Sequence, residues 1–216
     1  MSETGIQFGV TTETKSTNQV GYDKGGFKKA ILTSVKFEEV GKDDKKYKTL
    51  SFTFQDVEGI KTFKHSEFAI EADDTDFAKK LNGMNSRIKH IYEAFQPLTK
   101  SIGENAKSFE DFFNQVALVF NEDGKDKTPI YKLDNKSSIL VWIKLAYYSK
   151  KGNIGFPLSP NFIEKVTQNN QTEPKTLAID NRWDKVDQPR STQPSGNTMG
   201  TTGIHTGTVA NSGDEF

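Results

Sequence analysis

Between Phe27 and Phe68 the side chains change character from one residue to the next, in three consecutive stretches separated only by short polar turns. Ile31, Thr33, Val35 and Phe37 alternate with Leu32, Ser34, Lys36 and Glu38, and Leu50, Phe52 and Phe54 alternate with Thr49, Ser51 and Thr53. A period of two built from β-branched and aromatic residues describes strands with one buried face, and it is incompatible with the 3.6-residue period of a helix. The connections Gly41-Lys42-Asp43-Asp44-Lys45-Lys46 and Asp56-Val57-Glu58-Gly59 are too short for a crossover, so Ile60 to Phe68 returns along the second strand. The segment predicts an antiparallel meander. Alternation does not reveal which face is inward, so Phe52 and Phe63 are open to either assignment.

From Phe77 the period lengthens. Phe77, Leu81, Met84, Ile88, Ile91 and Phe95 fall at helical spacing and are closed by Pro97. Ser108-Phe109-Glu110-Asp111 resembles a capping box ahead of the stripe Phe109, Phe112, Phe113, Val116 and Phe120. Alternation resumes at Ile139, with Val141, Ile143, Leu145 and Tyr147 on one face and Leu140, Trp142, Lys144, Ala146 and Tyr148 on the other. After the turn Ser149-Lys150-Lys151-Gly152-Asn153, Ile154 to Leu158 reads as a last short strand that Pro157 and Pro160 break. Three strands, a helical insert over 74–121 and two strands is the layout of the OB-fold, a partly open Greek-key barrel. The expected class is thus mainly β with a helical insert (α+β), a five-stranded OB-like barrel.

Composition sets the boundaries. Residues 1–21 are Thr- and Gly-rich without periodicity and read as a flexible arm; 22–167 hold the apolar content and read as the folded, nucleic-acid-binding domain. From 168 to 216 the chain is mostly Thr, Asn, Gln, Gly, Ser and Pro, too poor in apolar surface to offset its ordering entropy, and is expected to be a disordered tail. The formal net charge is zero, but residues 22–167 carry 24 Lys and Arg against 21 Asp and Glu, whereas 168–216 carry 4 against 6. A mildly basic domain therefore has a mildly acidic tail. With no cysteine and three scattered histidines, neither a disulfide nor a His/Cys metal site is expected. The first residues contain no basic segment or apolar run of a signal peptide, so a soluble, cytoplasmic protein is expected, with no membrane partner.

No P-loop, dinucleotide fingerprint or cysteine nucleophile occurs, which points to a non-enzyme without cofactor or metal. Asp73-Asp74-Thr75-Asp76 offers oxygen ligands of the kind Mg²⁺ takes, but acids ahead of a helix are also what the macrodipole favours. The candidate nucleic-acid contacts are aromatics mixed with cations: Trp142, Lys144 and Tyr148 on one strand face; Lys150 and Lys151 at the last hairpin; Lys45, Lys46 and Lys48 at the first; Lys61, Phe63 and Lys64 on the third strand. Rings can stack bases while lysines track phosphates. Trp142 and Tyr148 can equally lie as core beneath the helical insert, and lysines at turns are also ordinary solvated surface.

The tail ends on Asp214-Glu215-Phe216, an acidic cluster closed by an aromatic residue. A five-stranded barrel followed by such a tail resembles bacterial and phage single-stranded DNA-binding proteins, and the large insert resembles a phage version. The resemblance implies DNA replication, recombination and repair as the setting, single-stranded DNA as ligand, and Asp214, Glu215 and Phe216 as the partner-binding tip for replication or recombination proteins. It further implies the cytoplasm of a host cell. The alternative is a virion structural or assembly protein whose barrel is a protein-interaction module.

Overall fold

The computed structural model describes residues 25–42, 45–57, 61–134, 137–147, 154–157, 161–180 and 184. The expected arm, 1–21, and the tip Asp214 to Phe216 lie outside the described residues, whereas 168–180 and 184 of the expected tail lie within them.

The meander forms as expected. β1 (Gly26–Lys42) pairs antiparallel with β2 (Lys45–Asp56), and β2 pairs antiparallel with β3 (Thr62–Phe68). The first two strands run on through most of the expected turn, down to the pair Lys42↔Lys45, so Lys45 and Lys46 stand on a strand. Gly41 is required there, because a Cβ would sit 1.9 Å from the Lys45 carbonyl oxygen. β1 is long enough to serve two neighbours: residues 26–31 also pair with β4 (Leu140–Tyr147). The far edge of β4 is shared by β5 (Ile154–Gly155) and β6 (Ile163–Lys165), a sixth strand the sequence reading lacks. The hydrogen-bonded order is β3-β2-β1-β4-β5, with β6 beside β4. The sheet is open, since β3 and β5 are its two ends; the His65 and Phe156 rings nevertheless meet at 5.7 Å.

One face assignment is corrected. Leu32 opposes Phe54 but Ser34 opposes Thr53, so Thr33 is an extra residue in the ladder. Such a bulge reverses the side-chain phase. Ala30 and Leu32 face the core before it and Val35 after it, rather than Ile31, Thr33 and Val35 together.

Both helices of the insert are present, α1 (Phe77–Glu93) and α2 (Phe109–Glu122). The Ser108 hydroxyl accepts the Asp111 N–H at 3.1 Å, and Glu110 and Asp111 lie in the first turn, where the dipole favours acids. The apolar stripes bury Met84, Ile88, Ile91 and Tyr92 from α1 and Phe113, Val116 and Phe120 from α2 in one core cluster with Leu50, Phe52 and Phe54 of β2. Phe120 meets Phe52 edge-on at 5.2 Å. Each such ring contributes about 1.5–3 kcal/mol through burial, so this aromatic layer is the main reason the helices stay on the inner face of the sheet.

Glu67 is among the charged residues buried inside. Its carboxylate accepts both Arg87 Nε and Nη2, at 2.6 and 2.7 Å, and His65 Nε2 at 2.7 Å. Burial works to raise its pKa, but the Arg87 and His65 hydrogen bonds outweigh burial and hold it below the ordinary carboxylate value. The pair locks α1 to β3. No helix among the described residues is long and apolar enough to cross a membrane.

The expected domain boundary at 167 is also corrected. Residues 168–170 form a 3-10 turn, and Asn170, Leu177 and Asp184 are buried. Their anchor is Glu164 on β6, whose carboxylate accepts Asn170 Nδ2 at 2.6 Å, the Lys175 N–H at 3.0 Å, and the Thr176 N–H and hydroxyl, each at 2.7 Å. Residues 168–180 and Asp184 therefore belong with the folded unit.

Candidate nucleic-acid interface

The β4 face proposed for stacking is roofed by that C-terminal segment. Trp142 is 7% exposed, its indole N–H donates to the Asn170 carbonyl at 2.7 Å, and the Lys29 ammonium lies 5.1 Å from the ring centroid. Lys144 is 4% exposed and its ammonium donates to the Ala178 carbonyl at 3.0 Å and to Asp184 Oδ2 at 2.8 Å. Both residues are structural here, in correction of the expectation that they face a ligand. This second face of β4 is covered by chain that follows rather than by the insert. Tyr148, Lys150 and Lys151 lie outside the described residues. Phe63, opposite Phe54, is buried on the inner face.

Sheet register shows what shares the other, outward face of β1, β2 and β3. Val40 stands beside Tyr47; Glu38, Thr49 and Phe68 form the next row; Lys36, Ser51 and Ser66 the next; and Ser34, Thr53 and Lys64 the last. Tyr47 is 48% exposed and Phe68 50%. Thr49 and Ser51, short and central, are buried between their longer neighbours. Lys45 and Lys46 are exposed at the hairpin end of the same strands. The geometry thus joins two lysines of the sequence reading, Lys45 and Lys64, with two aromatics and one lysine outside it, Tyr47, Phe68 and Lys36, whereas Lys46, opposite Gly41, has the parity of Lys48 and Leu50. The signal for Tyr47 was in the sequence, because it shares parity with Thr49, Ser51 and Thr53.

Several cations are already engaged. Lys64 and Lys36 both reach Glu38, the latter at 3.7 Å, and Ser51 Oγ donates to Glu38 Oε1 at 2.5 Å. Burial acts to raise the Glu38 pKa, yet Lys64, Ser51 and Lys36 together hold it below the ordinary value. Lys48 donates to Glu110 Oε2 at 2.7 Å, which raises the lysine pKa and ties β2 to α2. Lys61 is half buried just ahead of β3, its carbonyl accepting the Asp56 N–H at 3.0 Å.

Beside this face, between β3 and β5, runs a groove of about 610 Å³. Phe63, His65 and Phe156 line it, with Lys64 and Phe68 at its border with the outward face. A second groove, of about 470 Å³, lies between β3 and α1 and is lined by Tyr47, Phe68, Ile70 and Met84. Its charged walls are paired, Arg87 with Glu67 and Lys80 with Asp74. The Asp74 carboxylate also accepts the Asp76 N–H at 2.9 Å, the local role of an acid ahead of a helix. Among the described residues no three His, Asp or Glu side chains converge to hold a metal ion.

Compared with protein-family models, with curated proteins and with solved structures, the chain matches none.

Proposed function

We propose that the open sheet is an OB-like barrel and that the protein binds single-stranded DNA, in replication, recombination or repair, without catalysing a reaction. The order β3-β2-β1-β4-β5, with the helices inserted between β3 and β4, supports the barrel reading: joining the two ends would complete a five-strand circuit. The observation that carries the function is the outward face of β1, β2 and β3, where Tyr47 and Phe68 stand half exposed among Lys36, Lys45 and Lys64. Base–aromatic stacking tolerates any sequence because every base has a π-face, and lysines beside the rings follow the phosphates. Trp142 and Lys144 take no part in this version of the interface. Asp214, Glu215 and Phe216 remain the proposed tip for partner proteins.

Anisotropy of labelled oligo(dT) tests the reading directly. Binding is expected, falling with salt, preferring single strand to duplex, and lost when Tyr47 and Phe68 are both replaced by Ala. Equal affinity for duplex, or no binding by the folded protein, contradicts it. The assembly-module reading draws on the apolar lining of the groove between β3 and α1; it requires that the protein ignore oligo(dT).

A further inference from the structure

We propose that Lys36, Lys64, Ser51 and Ser66 form a subsite for one backbone phosphate, that Glu38 occupies it in the free protein, and that a bound strand displaces the Glu38 carboxylate. The inference rests on the single-strand reading above and names the atoms that would hold the backbone.

The arrangement has the composition of an oxyanion site. Lys36, Ser51 and Ser66 stand in one transverse row, and Glu38 on one side and Lys64 on the other reach over it. Two ammonium groups and the Ser51 hydroxyl converge on the single Glu38 carboxylate, and Ser66 Oγ lies 3.5 Å from Ser51 Oγ. A phosphodiester matches a carboxylate in charge and in offering two oxygens to donors, so a site built for one suits the other.

A structural reading of the same contacts is weaker. Lys48 with Glu110 fastens a helix to the sheet, and Lys144 with Asp184 fastens the C-terminal segment. Glu38, by contrast, gathers groups from three strands already joined by backbone ladders, and ion pairs to such exposed lysines add little to stability. Both lysines remain well exposed, with side chains 60% and 44% accessible, so an incoming anion can reach them. Phe68 lies in the adjacent row, and a base stacked on it would set its phosphate beside the cluster.

Glu38 then acts as an internal competitor. Its carboxylate is held ionised by the groups it meets, so removing its charge should free two lysines for the strand. In anisotropy titrations with oligo(dT) across a salt series, Glu38→Gln is expected to bind at least about threefold tighter at low salt. Its log K against log salt slope should steepen by about 0.7, the increment for one further phosphate neutralised on a single strand. Glu38→Ala, which leaves no amide to pair wrongly, is expected to behave alike. Adding Lys64→Gln should cancel the gain. Glu39→Gln is the control, since it removes the same charge from the neighbouring exposed position, beside Lys48, and should leave the slope unchanged. If wild type binds with salt dependence but Glu38→Gln binds no tighter, or no tighter than Glu39→Gln, the subsite is overturned while the single-strand reading stands. If wild type and all variants, shown folded by thermal melting, fail to bind oligo(dT), the single-strand reading falls and the subsite with it.

Discussion

Removing the Tyr47 and Phe68 rings leaves the core intact, because both are about half exposed on the outward face. The double variant Tyr47→Ala/Phe68→Ala is therefore expected to melt close to wild type yet lose about 2–6 kcal/mol of oligo(dT) binding, the ~1–3 kcal/mol per stacked base taken twice. Trp142 behaves in the opposite way. Buried and hydrogen-bonded to Asn170, it should show little quenching by oligo(dT), and Trp142→Ala should cost about 3–5 kcal/mol of stability in chemical denaturation. Quenching of Trp142 to the extent of a stacked base would return it to the interface. The contrast shows where single-residue reading stops. Parity along β2 was enough to place Tyr47 with Thr49 and Ser51, but the fate of Trp142 depends on residues 161–180 and Asp184, whose polar composition gave no sign that they cover β4. Glu164 and Asp184 do by hydrogen bonds and one buried ion pair what apolar periodicity would have advertised.

That C-terminal segment is the element most open to manipulation. Stopping the chain after Thr167 removes Asn170, Leu177 and Asp184 and uncovers Trp142 and Lys144 on β4, so a clear fall in melting temperature is expected. Stopping after Asp184 should leave melting nearly unchanged, since residues 185–216 offer little apolar surface to a core. Acid should loosen the same segment. Burial tends to raise the Glu164 pKa, but the Thr176 hydroxyl, the Lys175 and Thr176 N–H groups and Asn170 lower it from 4.5 to about 2. A depressed carboxyl stabilises the folded state fully above its unfolded value, and that contribution is lost as pH falls from about 4.5 through about 2. Trp142 emission in a Trp183→Phe background should shift red across this window, and Glu164→Gln should remove the transition. A wild-type signal flat across the window would mean that Glu164 is not the anchor. At this scale the long elements were legible, because β1, β2, α1 and α2 each repeat their pattern over several periods. The short β5 was legible from the turn before it and the prolines after it, whereas the three-residue β6 is too short to show any period, and the Thr33 bulge shifts phase without changing composition.

For the molecule as a whole, the sheet is open between β3 and β5, the helices close its inner face, and aromatics with lysines gather on the outward face of the first three strands. The mildly basic balance of 22–167 adds a weak attraction for a polyanion, whereas the acidic balance of 168–216 opposes it, so binding must come mainly from the placed rings and lysines. The measurement that bears most directly on this is a salt-titrated binding curve of the full chain with oligo(dT), set against a duplex of equal length and against the Tyr47→Ala/Phe68→Ala variant. Affinity that falls linearly with log salt, favours the single strand and drops by at least about 2 kcal/mol in the variant, at unchanged melting temperature, is the predicted result. Salt-independent binding, equal preference for duplex, or full affinity in the variant would contradict the account.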